Sequence, residues 1–413
     1  MALHSLTPRP TLTGDSRRRF GVYVHFPWCL AKCPYCDFVS FATERSGIDH
    51  RGYADAVIAE LARRRAALEG ARLETVFFGG GTPSLWEPAE LGRVLAAILA
   101  AAPAQASEVE ITVECNPTSL DETRARALRA AGVNRLSVGV QGLDEARLAF
   151  LGRLHQPEGG LEALRGALRS GMPRVSGDLI YGVGGRGAVQ GGAAAVEETA
   201  DQAADEARRV AETGVGHLSA YALTLEPATQ FGELARRNRL PLAQDDTVAE
   251  SFERVDAALG ELGYQHYETS NYARPGEEAR HNLGYWRGDD YLGLGCGAYG
   301  TLSAEAGGAV RYRNAPDPAR YLATAAEGDP AESREALDGE ARLRERIMLG
   351  LRIAEGFDLE GSAAELGVEP WPAPRRRAAD RLLAARRIEI EGGRVRLPRP
   401  AWLFADGIAA ELF

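Results

Sequence analysis

The sequence predicts an α/β protein: a parallel sheet covered by helices, followed by a small α+β domain. Between residues 21 and 225, six short β-branched or aromatic runs alternate with longer stretches of helical periodicity. A Gly or Pro stop lies near each helical stretch. The last seventy or so residues change character, to two helices, a hairpin and a final helix. Right-handed crossovers wind such a sheet into a barrel or partial barrel. A doubly wound sheet is the competing topology, and periodicity does not separate the two.

The expected strands are Gly21–Phe26, Thr75–Phe78, Val109–Glu114, Arg135–Val140, Arg174–Ile180 and His217–Ala222. Helices fall between them at Tyr53–Leu68, Pro88–Ala101, Asp121–Ala131 and Leu161–Ser170; in the first, Ala54, Val57, Ile58, Leu61 and Ala62 trace one apolar face. Gly182–Ala195 lacks aromatic residues and reads as a flexible loop before a helix over Val196–Ala211. A helix from Asp245 to Leu262 leads to a β-like Tyr264–Ser270 and an aromatic, Gly-rich tract, Arg280–Gly300. Helices at Glu340–Ile353 and Arg375–Arg386 precede a hairpin, Ile388–Leu397, turning on Gly392-Gly393. This ending is winged-helix-like, and its arginines read as a solvated helix face. The expected divisions are 1–20 (extension), 21–240 (sheet and helices), 241–335 (a further segment) and 336–413 (terminal domain).

Composition bounds the function. The 413 residues suit two or three domains, or one large barrel with an appendage. Apolar residues make up 45% and charged ones 26%, ordinary for a globular chain with a sizeable core. A net charge of −10 argues against a strongly basic nucleic-acid binder. No apolar run approaches the ~18 residues of a membrane span, so any bilayer contact is expected to be peripheral. Met1–Phe20 is polar and ends in Arg17, Arg18 and Arg19 without the apolar stretch of a secretory signal; it reads as the loose extension of a cytoplasmic protein.

Five cysteines are too few, and too odd in number, for a disulfide framework. Cys29, Cys33 and Cys36 cluster in His25-Phe-Pro-Trp-Cys29-Leu-Ala-Lys-Cys33-Pro-Tyr-Cys36-Asp-Phe38, while Cys115 and Cys296 stand apart and read as packing thiols. Three thiols just after the first strand can converge on one metal centre. A structural zinc site closes with a fourth ligand, here His25, Asp37 or something distant. A four-iron cluster on three cysteines leaves one iron open for an exogenous ligand. Thiolate softness suits either over magnesium or calcium, and the spacing favours iron–sulfur.

The C-x3-C-x2-C spacing, preceded by Tyr23-Val-His25 and followed by an aromatic, resembles the cluster loop of radical S-adenosylmethionine proteins. More narrowly, it resembles the family of oxygen-independent coproporphyrinogen III oxidase and its heme-chaperone relatives, from Gly21 to Phe413. The resemblance implies a partial (β/α)6, TIM-like barrel with the winged-helix-like C-terminal domain. It also implies a [4Fe–4S] cluster on Cys29, Cys33 and Cys36, and S-adenosyl-L-methionine on the open iron.

Ligand groups of such a barrel sit at the carboxyl ends of its strands. Gly79-Gly80-Gly81-Thr82 follows the second strand, its glycines allowing close approach and its N–H groups available to a ligand. Glu114 ends the third strand and Gln141 follows the fourth. Arg153 presents a guanidinium suited to a carboxylate, Asp178 lies near the end of the fifth strand, Tyr221 closes the sixth and Thr224 lies just beyond. Each alone is an ordinary polar residue; one per strand end is what a single pocket requires. By resemblance, Gly80, Gly81, Thr82, Glu114, Gln141, Arg153, Asp178 and Thr224 are cofactor positions, with Tyr23 and Tyr35 around the cluster and adenine. His25 reads as a ligand, a donor to a cluster sulfur, or a buried histidine.

Two features place the chain nearer the chaperones. By resemblance, the oxidase carries a further cysteine where Phe38 stands. The chaperones carry H-N-x-x-Y-W, matched here by His281, Asn282, Tyr285 and Trp286. An imidazole, an amide and two aromatic rings can bind or stack on heme, and can equally pack the last strand onto the barrel. The implied function is a heme chaperone that binds heme and delivers it to apo-hemoproteins such as respiratory enzymes. The alternatives are radical-driven oxidative decarboxylation of a porphyrinogen and a structural zinc module. Between Tyr181 and Glu197 the chain departs from the family's short Pro-Gly turn, and a mobile flap is expected there, beside Asp178.

Overall fold

The computed structural model describes residues 17–184 and 197–413. Most of the expected N-terminal extension and of the 182–195 loop lies outside the described residues. Six strands, β1 (Arg18–Phe26), β2 (Ala71–Gly80), β3 (Gln105–Cys115), β4 (Arg135–Gln141), β5 (Arg174–Tyr181) and β6 (His217–Ala222), are each parallel to the next. Neighbours in sequence are neighbours in space, which excludes the doubly wound alternative, where strand order reverses. β1 starts at Arg18 rather than Gly21 because Arg18 and Arg19 already pair with Ala71 and Arg72.

The sheet is open and wider than the sequence suggests. On the β6 edge, β7 (Gln265–Glu268) and β8 (Asn271–Ala273) add antiparallel. On the other edge, β9 (Asp290–Leu294) lies parallel to β1, followed by antiparallel β10 (Tyr299–Ser303), β11 (Ala309–Asn314) and β12 (Ala331–Leu337). All twelve strands belong to one sheet.

Strand alternation separates two environments. Val22, Val24, Val76, Phe78, Ile111, Val113, Leu136 and Val138 are buried in the apolar core. The alternate positions are largely polar: Tyr23 and His25 on β1, Glu110, Thr112 and Glu114 on β3, Ser137 on β4, Ser176 and Asp178 on β5, His217 and Ser219 on β6. A polar inner face with helices on the other side is what a barrel lumen requires. Helices α1 (His50–Arg64), α2 (Pro88–Ala101), α3 (Glu122–Ala130), α4 (Pro157–Arg169), α5 (Ala200–Ala211) and α6 (Asp245–Glu261) follow local rules. Asp49 and Asp121 accept from the third residue on, Thr199 and Gln202 form a capping box, and Pro88 and Pro157 open the first turn.

The aromatic, Gly-rich tract contains α7 (Arg280–Arg287), which ends at left-handed Gly288. The terminal domain packs α8 (Gly339–Gly350), α9 (Leu359–Leu366), α10 (Ala373–Ala384) and α11 (Ala405–Glu411) against a three-stranded sheet whose hairpin turns on Gly392 and Gly393, both at positive φ. Two arginines depart from the expected solvated face: Arg342 is buried, and so is Arg375, which donates to the carbonyls of Leu412 and Pro370 and to Glu340. Among the described residues no helix is long and apolar enough to cross a membrane.

Candidate functional site

The three cysteines lie on the loop that leaves β1, and the loop is fastened at several points. Trp28-Cys29 pairs with Phe41-Ala42 across its base. The Cys36 N–H donates to the Cys33 carbonyl, and Lys32 Nζ donates to the carbonyls of Phe38 and Ser40. His25 Nε2 lies 2.7 Å from the Val39 carbonyl oxygen and Nδ1 lies 2.9 Å from the Tyr23 hydroxyl. A carbonyl only accepts, so Nε2 carries the proton and Nδ1 accepts from Tyr23. Both nitrogens are engaged and burial lowers the imidazole to about 4, so His25 is a structural tie and no ligand. Tyr23 reaches the loop only through His25.

Each thiol has a polar neighbour from the chain: Thr82 Oγ1 donates to Cys29 Sγ at 3.4 Å, Arg153 Nη1 to Cys33 Sγ at 3.5 Å, and Ser40 Oγ lies 4.0 Å from Cys36 Sγ. Burial pushes the Cys29 thiol up to about 11 and raises Cys36 as well. Among the described residues no three His, Cys, Asp or Glu side chains converge on a single-ion site. A cube offers three separate irons and asks the thiols to stand further apart than one tetrahedral zinc does. The donor set of three soft thiols with hydrogen-bond donors on two sulfurs suits such a cube.

The thiols border a cavity of about 170 Å³ at the carboxyl ends of the strands. Tyr35, Gly80, Gly81, Thr82, Glu114, Gln141, Arg153 and Asp178 border it too, so eight of the ten expected cofactor positions converge there. Thr224 does not: it is exposed and turns its hydroxyl to the Ala222 carbonyl. Tyr23, spent on His25, is the other exception. Strand reading also passed over Ser137 and Asn116 at the same wall. Ser137 was within reach, standing two residues before Gly139 on the same face of β4.

The glycine turn works differently from expectation. Its N–H groups are consumed internally, Gly80 by Glu114 Oε2 (3.0 Å), Gly81 by the Phe26 carbonyl (2.7 Å) and Thr82 by the Trp28 carbonyl (2.8 Å). Gly80 has φ +109°, and a Cβ there would fall on the His25 ring. A Cβ at Gly81 would lie 2.7 Å from the Trp28 oxygen. Gln141 sits at φ +68°, unusual for a residue with a side chain, beside a register shift in β4. Arg153 also departs from the reading: Nη2 donates to the Gly139 carbonyl at 2.7 Å and Nη1 to Cys33, leaving Nε as the buried donor without a partner.

Two carboxyls share this wall. Burial, with the Asp178 charge adding to it, raises Glu114 to about 7. Asp178 is raised by burial and accepts from Ser137 and Ser176. A pair of carboxyls can hold hydroxyls and a cation in one orientation.

The H-N-x-x-Y-W segment forms α7 and lies toward the other end of the barrel. Glu110 accepts from the N–H groups of Arg280 and His281, a carboxylate at a helix N-terminus. His281 is buried, with Nδ1 2.7 Å from Thr75 Oγ1, Nε2 3.1 Å from the Tyr285 hydroxyl and its ring stacked on Phe77. Both nitrogens have partners in this arrangement, which suits a packing role. Tyr285 and Trp286 instead border a second cavity, of about 290 Å³.

Residues 23–188 match the Radical SAM superfamily and residues 337–404 the HemN C-terminal domain. Heme chaperone HemW of Escherichia coli (strain K12) is 35% identical over 335 residues, which cover 81% of this chain and 82% of that one. Heme chaperone HemW of Mycobacterium tuberculosis (strain ATCC 25618 / H37Rv) is 34% identical over 408 residues, 98% of this chain and 97% of that one. Among solved structures, coproporphyrinogen III oxidase (HemN) from Escherichia coli, a radical SAM enzyme, matches with TM-score 0.77 over 96% of this chain and 91% of that chain. At 20% identity this is a likeness of fold.

Proposed function

The chain belongs to the heme chaperone HemW family of radical SAM proteins, and from that premise we propose that it binds heme in the cytoplasm and delivers it to apo-hemoproteins. The family implies a [4Fe–4S] cluster and S-adenosyl-L-methionine. The observation that carries our reading is the convergence of Cys29, Cys33 and Cys36 with Glu114, Gln141, Arg153 and Asp178 around one cavity.

In this reading the three thiolates hold the cluster, and the cluster supplies electron transfer and one open iron when bound. Thr82 and Arg153 donate to two of the sulfurs, which stabilises their negative charge. The unpartnered Nε keeps Arg153 able to meet the methionine carboxylate, while Glu114 and Asp178 accept from the ammonium and the ribose hydroxyls. Tyr35 borders the same space, and burial raises its phenol, so it acts as a neutral donor. Thr224 would need its exposed turn to close before it touched this site.

Heme, the cargo, is assigned to Tyr285 and Trp286 at the other end of the barrel, with Asn282 beside them and His281 holding the helix in place. The deciding experiment is a paired assay on one anaerobically reconstituted sample. Heme titration should saturate, and incubation with coproporphyrinogen III and a reductant should yield no protoporphyrinogen IX. Turnover without heme binding would replace the chaperone by the oxidase.

A further inference from the structure

The cavity between α7 and α8 has a wall the H-N-x-x-Y-W motif does not supply. One side carries Tyr285, Trp286 and Tyr291; Tyr285 and Tyr291 meet edge to face with centroids 4.7 Å apart. The opposite side carries Arg311, Arg342 and Arg346 from β11 and α8. At about 290 Å³ it exceeds the space at the cysteines, and its lining combines aromatic rings with guanidinium groups.

The lining itself holds three arginines, Arg311, Arg342 and Arg346, against two acids, Asp289 and Glu345. Arg311 is matched by Glu345 at 2.7 Å, and Asp289 by Arg19 at 3.3 Å. Arg342 spends its donors on the Gly307 and Gly308 carbonyls and Ser303, groups that carry no charge; Asp290, 3.8 Å away, is already paired with Arg18. Arg346 reaches Glu365, itself exposed, through Nη1 only. Arg342 and Arg346 stand four residues apart on α8, where like charges repel, and the Arg346 charge lowers Arg342 further after burial has done so. Two buried donors at this wall, Arg346 Nε and Trp286 Nε1, have no hydrogen-bond partner. A buried donor without an acceptor is unfavourable, and two such donors beside a lining of three arginines and two acids favour an anionic ligand.

Resting on the heme reading above, we propose that this cavity seats the carboxylate-bearing edge of the tetrapyrrole, with Arg346 receiving a propionate beside the Arg342 charge and Tyr285 and Trp286 lying against the ring. The cavity is too small to enclose a whole macrocycle, so one edge enters and the rest stays accessible for transfer. The arginines of the terminal domain thereby select for a free carboxylate, which the motif alone does not do.

The test titrates the full chain with hemin and with hemin dimethyl ester, read by Soret absorbance and by quenching of tryptophan fluorescence. On the wild type the ester should bind at least about tenfold more weakly, the loss of one charge-assisted contact. Arg346→Ala should weaken hemin by about tenfold and bind acid and ester alike, while Arg346→Lys restores part of the preference. Equal binding of hemin and ester by the wild type overturns the proposal and leaves the heme reading standing, without recourse to any variant. Full discrimination in Arg346→Ala also overturns it. A wild type that binds neither overturns both.

Discussion

Replacing His281 by alanine separates a packing histidine from a heme ligand. The side chain is 4% exposed and makes two hydrogen bonds, to Thr75 and Tyr285. Alanine removes both bonds and leaves two hydroxyls short of a partner. At ~1 kcal/mol for each bond, with a further penalty for the orphaned hydroxyls, the loss comes to about 3 kcal/mol. Unfolding entropy of ~2.1 cal/mol/K per residue over 413 residues converts this to a fall in Tm of about 3–4 °C. Burial also holds the imidazole at about 3, so it stays neutral across the working range and adds no pH dependence to heme binding between pH 5 and about 9. Differential scanning calorimetry and hemin titration on the same preparation measure the two effects. Hemin affinity should stay within about threefold of wild type. A variant that melts like the wild type yet loses the Soret shift would refute the reasoning, since only a direct ligand behaves so.

At the glycine turn, Gly81→Ala drives a Cβ to 2.7 Å from the Trp28 oxygen and 2.9 Å from the Phe26 oxygen, both backbone atoms; iron per chain after reconstitution should fall severely while far-UV circular dichroism is retained. Arg147 is buried with Glu198 and Glu206 as its ion-pair partners, so Arg147→Met strands two carboxylates and should cost about 3–5 kcal/mol in urea denaturation. Adding Glu198→Gln and Glu206→Gln should restore most of it, and failure to do so would point to lost packing instead. Glu114 has its folded value raised from 4.5 to about 7, so its neutral form favours the fold; that contribution is complete below pH 4.5 and is lost as pH climbs through 7. Glu114→Gln should therefore gain on the wild type in melting temperature across that window, and a parallel pair of pH profiles would count against the burial argument.

Much of the site could be read from local features. Cys29, Cys33 and Cys36 are placed together by a few peptide units, and the positions of Gly80, Glu114, Gln141 and Asp178 at or near strand ends follow from the alternation of strand and helix. Expectation and structure part wherever a distant partner decides the local geometry. The N–H groups of Gly81 and Thr82 look free in the sequence, but the carbonyls that consume them belong to Phe26 and Trp28, more than fifty residues earlier. His281 reads as a heme candidate in the sequence, and the structure sets Thr75 and Tyr285 on its nitrogens. Thr224 is a plausible strand-end residue, and only the course of the chain after β6 turns it outward.

What the amino-acid order determined alone is the succession of strand and helix and the clustering of three sulfurs, because periodicity and short spacing act through neighbours along the chain. What the tertiary structure decided is the seating of β9 beside β1 and of α8 beside α7. Those contacts join segments some 270 and 60 residues apart. Their free energy comes from burying surfaces that no local pattern can pair, and they are what bring arginines of the terminal domain to the aromatic motif.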